Sequence, residues 1–412
     1  MALNLKFNPK ELLNGLFGQN NGHVAVDFGS TGIKVMAVEP GQPIRLEAIG
    51  YEPTPVELRS DVRKRFNHQF EQLARMAQKL GLRGRKVVCS IPASQTFCKH
   101  MQFERTPDVP VAILAESAVA QQIGCDPSAL VYQTVDVGPL AADATKNEVI
   151  CTAVSRELVT LIMQASRSAK LELAGVHGEF MALARGFDHI TKRADDATLG
   201  SLYLDVGETS TKVVIVQGTR TVFMRSVEIG TRTLDEILRN KRGCTLQQAA
   251  TLRLEHSACL SEEPASTSLL PEPVNAVTAG AATAGGLGLL ALMPQDRRRT
   301  GGRPEAAAED NALSEINEQV EILADEVQMC VRYAESVVSG LRIDRLMCMG
   351  GGAADRSLCR RIAKTLRLPA QQMDPLARLA RKPGAPTINV DLAKPHPEWA
   401  VAVGLCSCPL AL

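Results

Sequence analysis

The chain has few side chains on which to stack a nucleic-acid base. One tryptophan, four tyrosines and ten phenylalanines make aromatics only 4 % of 412 residues, too few for the platforms single-strand binders use. It has no excess of charge either. Forty-six basic residues stand against 45 acidic ones, a net charge of +1, so no footprint for a polyanion exists. The eleven cysteines do not pair up along the sequence. They sit singly in apolar runs such as KVVCSI and RLMCMG, as small buried hydrophobes of a reducing compartment do. Cys406-Ser-Cys408 is too short and isolated for a zinc site. The seven histidines are scattered, with no His-Glu-x-x-His, and the His-x-Glu pairs at His177 and His396 lack a Pro-Cys-x-x-Cys partner. Walker, Gly-x-Gly-x-x-Gly and Gly-x-Ser-x-Gly motifs are all missing. The opening MALNLKFNPKELLNGLFG has neither the apolar core nor the cleavage site of a secretory signal, which makes the cytoplasm the default.

What is present is ordinary globular composition, 45 % hydrophobic and 22 % charged, at a length for two to four domain-sized units. Residues 1–21 stand apart. Leu3, Leu5, Phe7, Leu12, Leu13, Leu16 and Phe17 lie among polar residues, and Asn8 with Pro9 can open a short helix. Residues 1–18 read either as a frayed terminus or as an amphipathic contact to a membrane or partner. From Gly22 the pattern is strand, turn, strand, then a third strand in PIRLEAIGYEP. A helix over Arg59–Leu80 follows, with Val62, Phe66, Phe70, Leu73, Met76 and Leu80 on one face. RKVVCSIP is a buried strand. Residues 93–174 form a separate α+β insertion: strands in TFCKHMQFE, LVYQTVDVGPL and NEVICTAVS, helices in PVAILAESAVAQQIG and RELVTLIMQASRSAKL. Residues 257–312 are rich in Ala, Gly, Pro, Ser and Thr. They include Val274–Met293, about twenty uncharged residues, the length of a membrane span. The segments on either side read as helices of one domain, so this stretch is assigned to a flexible insertion. A helix over Leu313–Leu341, with Ile316, Val320, Leu323, Val327, Val331, Ala334 and Val338 as its stripe, leads to a strand, the turn MGGGAADRSL and another helix. HPEWAVAVGLCSCPLAL reads as the last helix.

The chemistry lies in a repeat. VAVDFGSTGIKVMAVE at the start and LYLDVGETSTKVVIVQG at 202–218 share strand, Asp, Gly, hydroxyl-rich turn, Lys, strand, with the two lysines expected one position out of step. Two such hairpins far apart point to an internal duplication. Glycines let backbone N–H groups approach an anion, the hydroxyls of Ser30, Thr31, Thr209 and Ser210 can donate to phosphate, and Lys34 or Lys212 supplies positive charge. An aspartate beside phosphate needs a cation between, so Asp27 and Asp205 are candidate Mg²⁺ holders. Gly350, Gly351 and Gly352, after a strand and before a helix, form a third candidate anion or sugar site.

Together these motifs resemble the actin/Hsp70/sugar-kinase ATPase superfamily, and within it the FtsA/PilM branch, the PilM family of type IV pilus assembly proteins most closely. The resemblance rests on VAVDFGSTGIKVMAVE, VVCSIPASQTFCKHMQFE, VICTAVSRELVTLIMQASRSAKLELAGVHGEFMALARGF, LYLDVGETSTKVVIVQGTRTVFMRSVEIG, MCMGGGAADRSL and PEWAVAVGLC. It implies an α/β, actin-like ATPase fold of two lobes, each a duplicated mixed-sheet domain. The implied parts are subdomain 1A at 22–92 and 175–198, the inserted 1C at 93–174, 2A at 199–232 and 342–412, and 2B at 233–341. It implies a first phosphate loop of Asp27, Gly29, Ser30, Thr31, Gly32 and Lys34. The second would be Asp205, Gly207, Glu208, Thr209, Ser210, Thr211 and Lys212, and the nucleoside site Gly350, Gly351 and Gly352. Glu179 would orient the attacking water, with ATP and Mg²⁺ as cofactors. Where relatives carry an Ala-Glu-x-x-Lys helix, TLQQAATLRLE places Ala250 and Arg253, which removes a ribose acceptor and points to slow hydrolysis at most. The implied role is a cytoplasmic, nucleotide-controlled scaffold on the inner face of the inner membrane. Its implied partner is the N-terminal cytoplasmic peptide of a PilN-like pilus protein, with pilus motor components and self-association as further contacts. An FtsA-like filament protein, a sugar or acetate kinase and a nucleotide-free secretion scaffold are the alternatives.

Overall fold

The computed structural model describes residues 22–39, 41, 44–105, 110–186, 198–259, 304–377 and 379–410. Residues 1–21 and Val274–Met293 therefore lie outside the described residues. The first hairpin is β1 (Val24–Phe28) and β2 (Gly32–Glu39), extended by β3 (Arg45–Pro53). A one-turn helix α1 (Val56–Arg59) and the helix α2 (Val62–Lys79) follow, then β4 (Lys86–Ile91). The helix expected from Arg59 is thus broken at Asp61, whose side chain accepts the Lys64 N–H and caps α2. β1 pairs antiparallel with β2 and parallel with β4. Val24, Val26 and Phe28 are fully buried under α2, and Phe28 meets Phe70 edge to face at 5.4 Å. Each such side chain contributes about 1.5–3 kcal/mol on burial.

The second lobe repeats this plan. β9 (Gly200–Val206), β10 (Thr211–Gln217) and β11 (Arg220–Val227) form an antiparallel meander, and β12 (Ile343–Met349) pairs parallel with β9. The helices α6 (Thr231–Arg242), α7 (Leu246–Cys259) and α8 (Pro304–Val337) lie between β11 and β12 in the chain. α8 begins before the expected Leu313 and stops at Val337, short of Leu341. The two lysines are in step rather than offset: Lys34 stands directly across from Asp27, and Lys212 directly across from Asp205.

Residues 342–412 do not stay with the second sheet. β12, the helix α9 (Arg356–Leu366) and β13 (Ala370–Gln372) do, but β14 (Ala380–Arg381) and β15 (Thr387–Ile388) pair with β3 of the first lobe. The final helix α10 (Ala400–Cys406) is buried in the first lobe against β1 and β4, and against α5 (Glu179–Arg185). Gly404 is needed there because a Cβ would collide with the Ala182 carbonyl.

Between β4 and α5 lie β5 (Thr96–Glu104), α3 (Val111–Ile123), β6 (Leu130–Pro139), β7 (Lys146–Ser155), α4 (Arg156–Ser168) and β8 (Glu172–Gly178). β5, β7 and β6 make a separate three-stranded sheet with its own apolar cluster, while β8 joins the first sheet beside β4. The small sheet also docks on the second lobe. The fully buried Glu148 on β7 accepts from Tyr333 of α8 at 2.7 Å and pairs with His100 of β5 at 2.8 Å. The other ring nitrogen of His100 accepts the Met224 N–H of β11 at 3.3 Å, which makes Nδ1 the donor to Glu148. Burial, with the Glu148 carboxylate beside it, pushes the Tyr333 hydroxyl well above its ordinary range.

Candidate functional site

Each hairpin ends in a buried ion pair. Lys34 Nζ donates to Asp27 Oδ2 at 2.9 Å. The Ser90 hydroxyl, from β4, donates to Asp27 Oδ1 at 3.0 Å and accepts the Phe28 N–H at 3.0 Å. Both oxygens of Asp27 are thus engaged within the first lobe. In the second hairpin Lys212 Nζ donates to Asp205 Oδ2 at 2.8 Å and lies 3.2 Å from Glu179 Oε2. Glu179 opens α5, where the chain leaves the first lobe, and its carboxylate also accepts the Ala93 N–H at 2.9 Å. Burial pulls both ammonium groups toward neutrality, yet the carboxylates outweigh it and hold both lysines above their usual range. At Glu179 burial prevails instead. Burial raises its pKa, Lys212 offsets this in part, and the charge of Asp27 adds to the rise. Burial is the largest influence on Glu179, and the shared ammonium does not outweigh it.

The two turns face each other across a cleft of about 360 Å³. Gly29, Ser30 and Thr31 line it from one lobe; Gly207, Glu208, Thr209 and Ser210 line it from the other, with Gly350, Gly351 and Gly352 beside them. Gly350 has φ +83°, and a Cβ there would collide with Asp205 Oδ1 and the Val206 carbonyl, so only glycine brings this turn against the second hairpin. Asp27, Lys34, Glu179, Asp205 and Lys212 complete the set.

Two expected residues stand outside the lining. Gly32 packs under the Tyr51 ring, and the buried Thr211 hydroxyl donates to the Ile229 carbonyl at 2.7 Å. Arg253 borders the cleft, but its guanidinium is committed: 2.7 Å to Asp235 and 2.9 Å to Asp355, all three buried. It braces α7 against α6 and the start of α9. Burial lowers the pKa of Arg253, and the two acids more than restore it.

The lysines also change the reading of the aspartates. Among the described residues no group of three or more His, Cys, Asp or Glu is placed to hold a metal ion. Each aspartate already has an ammonium in contact, so a Mg²⁺ ion ligated by protein alone does not fit this donor set.

The residues that set the first turn belong to no motif of the sequence. Gln69 Nε2 on α2 donates to the Gly29 carbonyl at 2.8 Å and to Thr54 Oγ1 at 3.0 Å. The Tyr51 hydroxyl donates to the Thr31 carbonyl at 3.1 Å. Arg59 reaches across the cleft to Glu208 at 3.0 Å, and Arg65 lines the cleft as well. The one available signal was on α2, where Arg65 and Gln69, spaced i and i+4, share a helix side.

A second, apolar groove of about 140 Å³ lies where the small sheet meets the first lobe. Val131, Tyr132 and Gln133 of β6 wall it on one side, and Ile91, Val176 and Phe180 on the other. Among the described residues β6 pairs only with β7, so its outer edge is unpaired within its sheet. The Tyr132 hydroxyl has no hydrogen-bond partner among the described residues. Among the described residues no helix is long and apolar enough to cross a membrane.

The family model of the type IV pilus assembly protein PilM matches residues 25–271, more than half of the chain. No curated protein matches by sequence. Among solved structures, the PilM-PilN type IV pilus biogenesis complex is similar at 17 % identity and TM-score 0.66, over 95 % of this chain and 99 % of that one. The ethanolamine utilization protein EutJ from Carboxydothermus hydrogenoformans follows at 12 % identity, TM-score 0.46 and 96 % of both chains. MreB5 of Spiroplasma citri bound to ADP follows at 12 % identity and TM-score 0.40, over 94 % and 95 %. The fold is that of the actin-like ATPases, and the chain belongs to the type IV pilus assembly protein PilM family.

Proposed function

We propose that this type IV pilus protein binds ATP between its lobes and uses the bound state to control its hold on the cytoplasmic peptide of a PilN-like inner-membrane protein. The observation that carries this reading is the pair of facing Asp–Lys hairpins with the glycine turn beside them. Two loops rich in backbone N–H and hydroxyl donors, each beside an ammonium, suit a polyphosphate approached from both sides. Cleft residues sum to near-neutral charge, so a triphosphate would bring its own counter-ion. A Mg²⁺ ion that arrives on phosphate keeps most ligands as water and phosphate oxygen, and Asp27 and Asp205 would hold it through that shell. Such an ion would supply neutralisation of phosphate charge. Ser30, Thr31, Thr209 and Ser210 would orient the phosphates, and Glu179 would orient water, with slow turnover at most.

The partner reading rests on the apolar groove beside β6, which suits an extended peptide: an open strand edge for main-chain bonds and pockets for alternate side chains. The small sheet that forms this groove is also tied to the second lobe through Glu148 and Tyr333, so lobe closure and groove shape are mechanically connected. The membrane association of the protein would then come through that partner, at the cytoplasmic face.

The test is a titration of the purified chain with labelled ATP, with and without Mg²⁺, for wild type, Asp27→Asn and Asp205→Asn. Saturable binding weakened in both variants is the expected result; no binding, or equal binding by all three, defeats the nucleotide reading. Capture of PilN-like N-terminal peptides, with loss on Val131→Arg, tests the groove.

A further inference from the structure

One cation in the cleft is unlike the others. Lys34 pairs with Asp27, Lys212 with Asp205 and Glu179, Arg253 with Asp235 and Asp355, and Arg59 with Glu208. Arg65 also lines the cleft, is 4 % exposed, and among the described residues has no acid in salt-bridge contact. Among the described residues its Nε has no hydrogen-bond partner. Its remaining contacts are weak: Nη1 to the Arg59 carbonyl at 3.4 Å, and the guanidinium 5.6 Å from the Phe66 ring centroid. Burying an unpaired guanidinium costs several kcal/mol, so a protein that keeps one has a use for it. Position supplies that use. Arg65 lies one helical turn before Gln69, which is bonded to the carbonyl of Gly29 in the first turn. The charges of Glu179 and Glu208 act on Arg65 without touching it, and burial lowers its pKa more than they raise it.

Resting on the nucleotide reading above, we infer that Arg65 is the specificity-determining residue for the terminal phosphoryl group of the bound nucleotide, distinguishing a nucleoside triphosphate from a diphosphate. A phosphoryl oxygen supplies the anionic acceptor that Nε and the rest of the planar fork lack. Glu208, paired with Arg59 and with Oε2 unpartnered, keeps a carboxylate near this position in the absence of ligand. The terminal phosphoryl group takes up the guanidinium that this distant carboxylate leaves free.

The experiment compares ATP and ADP affinity, each with Mg²⁺, for the full chain as wild type, Arg65→Gln and Arg65→Lys, with melting curves of each free protein. Arg65→Gln should lower ATP affinity roughly ten- to a hundredfold and leave ADP affinity within about twofold, the size of one charge-assisted contact. Arg65→Lys should recover part of the ATP affinity. The free Arg65→Gln protein should melt no lower than wild type, since no ion pair is lost. Equal weakening of ATP and ADP, or no change in either, overturns the assignment while the nucleotide reading stands. A lowered melting temperature with both affinities reduced shows a structural arginine and also overturns it. Wild type that binds neither nucleotide defeats the nucleotide reading itself. If Arg65→Gln does not fold, Arg65→Lys decides by the same ATP-against-ADP split.

Discussion

The two hairpins share a register and differ in what closes them. Asp27 is enclosed by its own lobe: Lys34 takes one oxygen and Ser90 the other. Asp205 sits at a junction, its lysine shared with Glu179 from the connecting helix and its second oxygen so near the glycine turn that a Cβ at Gly350 would collide with it. The first hairpin is thus a finished local structure, while the second joins three distant segments around one ammonium. A duplicated motif has become an anchor in one lobe and a junction in the other. Changes to the second should therefore spread further than the same changes to the first.

The sharpest test exchanges the lysines. Lys212→Met leaves Asp205 and Glu179 buried without their cation, which should cost roughly 3–5 kcal/mol. Lys34→Met strands Asp27 alone, with Ser90 still bonded to it, and should fall at the lower end of that range. Chemical denaturation of both variants reads this directly. Equal losses would mean that the second hairpin is no more of a junction than the first.

The supports of each aspartate come next. Gly350→Ala forces a side chain into a left-handed position and against Asp205, a strain of about 1–3 kcal/mol before any displacement of the carboxylate. Ser90→Ala leaves Asp27 Oδ1 and the Phe28 N–H unbonded, about 1–3 kcal/mol for a buried unsatisfied group. The two should differ in kind. Gly350→Ala should also disturb the glycine turn and lower nucleotide affinity, whereas Ser90→Ala should act on stability first. Unfolding free energies beside binding curves separate the two patterns.

How much of this was legible in the sequence follows the same division. The hairpins themselves were plain, because alternating apolar residues flank Asp, Gly and hydroxyls in both copies. Fold class followed from their order with the glycine turn. The lysine's partner was not plain. Whether Lys34 meets phosphate or Asp27 depends on cross-strand register, and the expected offset between the lysines hid the equal spacing. Arg65 and Gln69 are not legible because the periodicity of α2 marks only its apolar stripe, and nothing local separates polar residues that face a cleft from those that face solvent. The return of β14, β15 and α10 to the first lobe was illegible for another reason. Strands of two residues carry no period, and nothing local says which sheet they join. Glu148 shows the same limit, since its hydroxyl partner Tyr333 is 185 residues away.

Arg59→Ala probes the ion pair that ties α1 across the cleft to the second turn. Its side chains are 18 % and 12 % exposed, so the loss in stability should be modest, about 0.5–1 kcal/mol. The larger effect is on opening. Hydrogen exchange in the second turn, at Gly207–Ser210, should speed up while the first turn, held by Gln69 and Tyr51, stays as protected as in wild type. Faster exchange in both turns would show that the first is not self-contained.

The smallest effect at neutral pH, and the most specific, belongs to Glu179→Gln. Glutamine still accepts from the Ala93 N–H and Lys212 keeps Asp205, so stability near pH 7 should stay within about 1 kcal/mol of wild type. The pH dependence should not. Burial raises the native pKa of Glu179 above its ordinary 4.5, with Lys212 opposing and Asp27 assisting. Above pH 4.5 the native state therefore holds a proton that the unfolded chain has released, and wild-type stability declines as pH rises through that window to the native pKa. Glutamine cannot titrate, so the variant lacks this decline. Unfolding free energies at a series of pH values should show the two proteins running parallel below about pH 4.5 and diverging above it, with wild type falling relative to Glu179→Gln. Parallel curves throughout would mean that Lys212 offsets the burial of Glu179 in full. The second hairpin would then be two equal ion pairs on one ammonium, rather than a tight pair beside a carboxyl whose proton is favoured by burial.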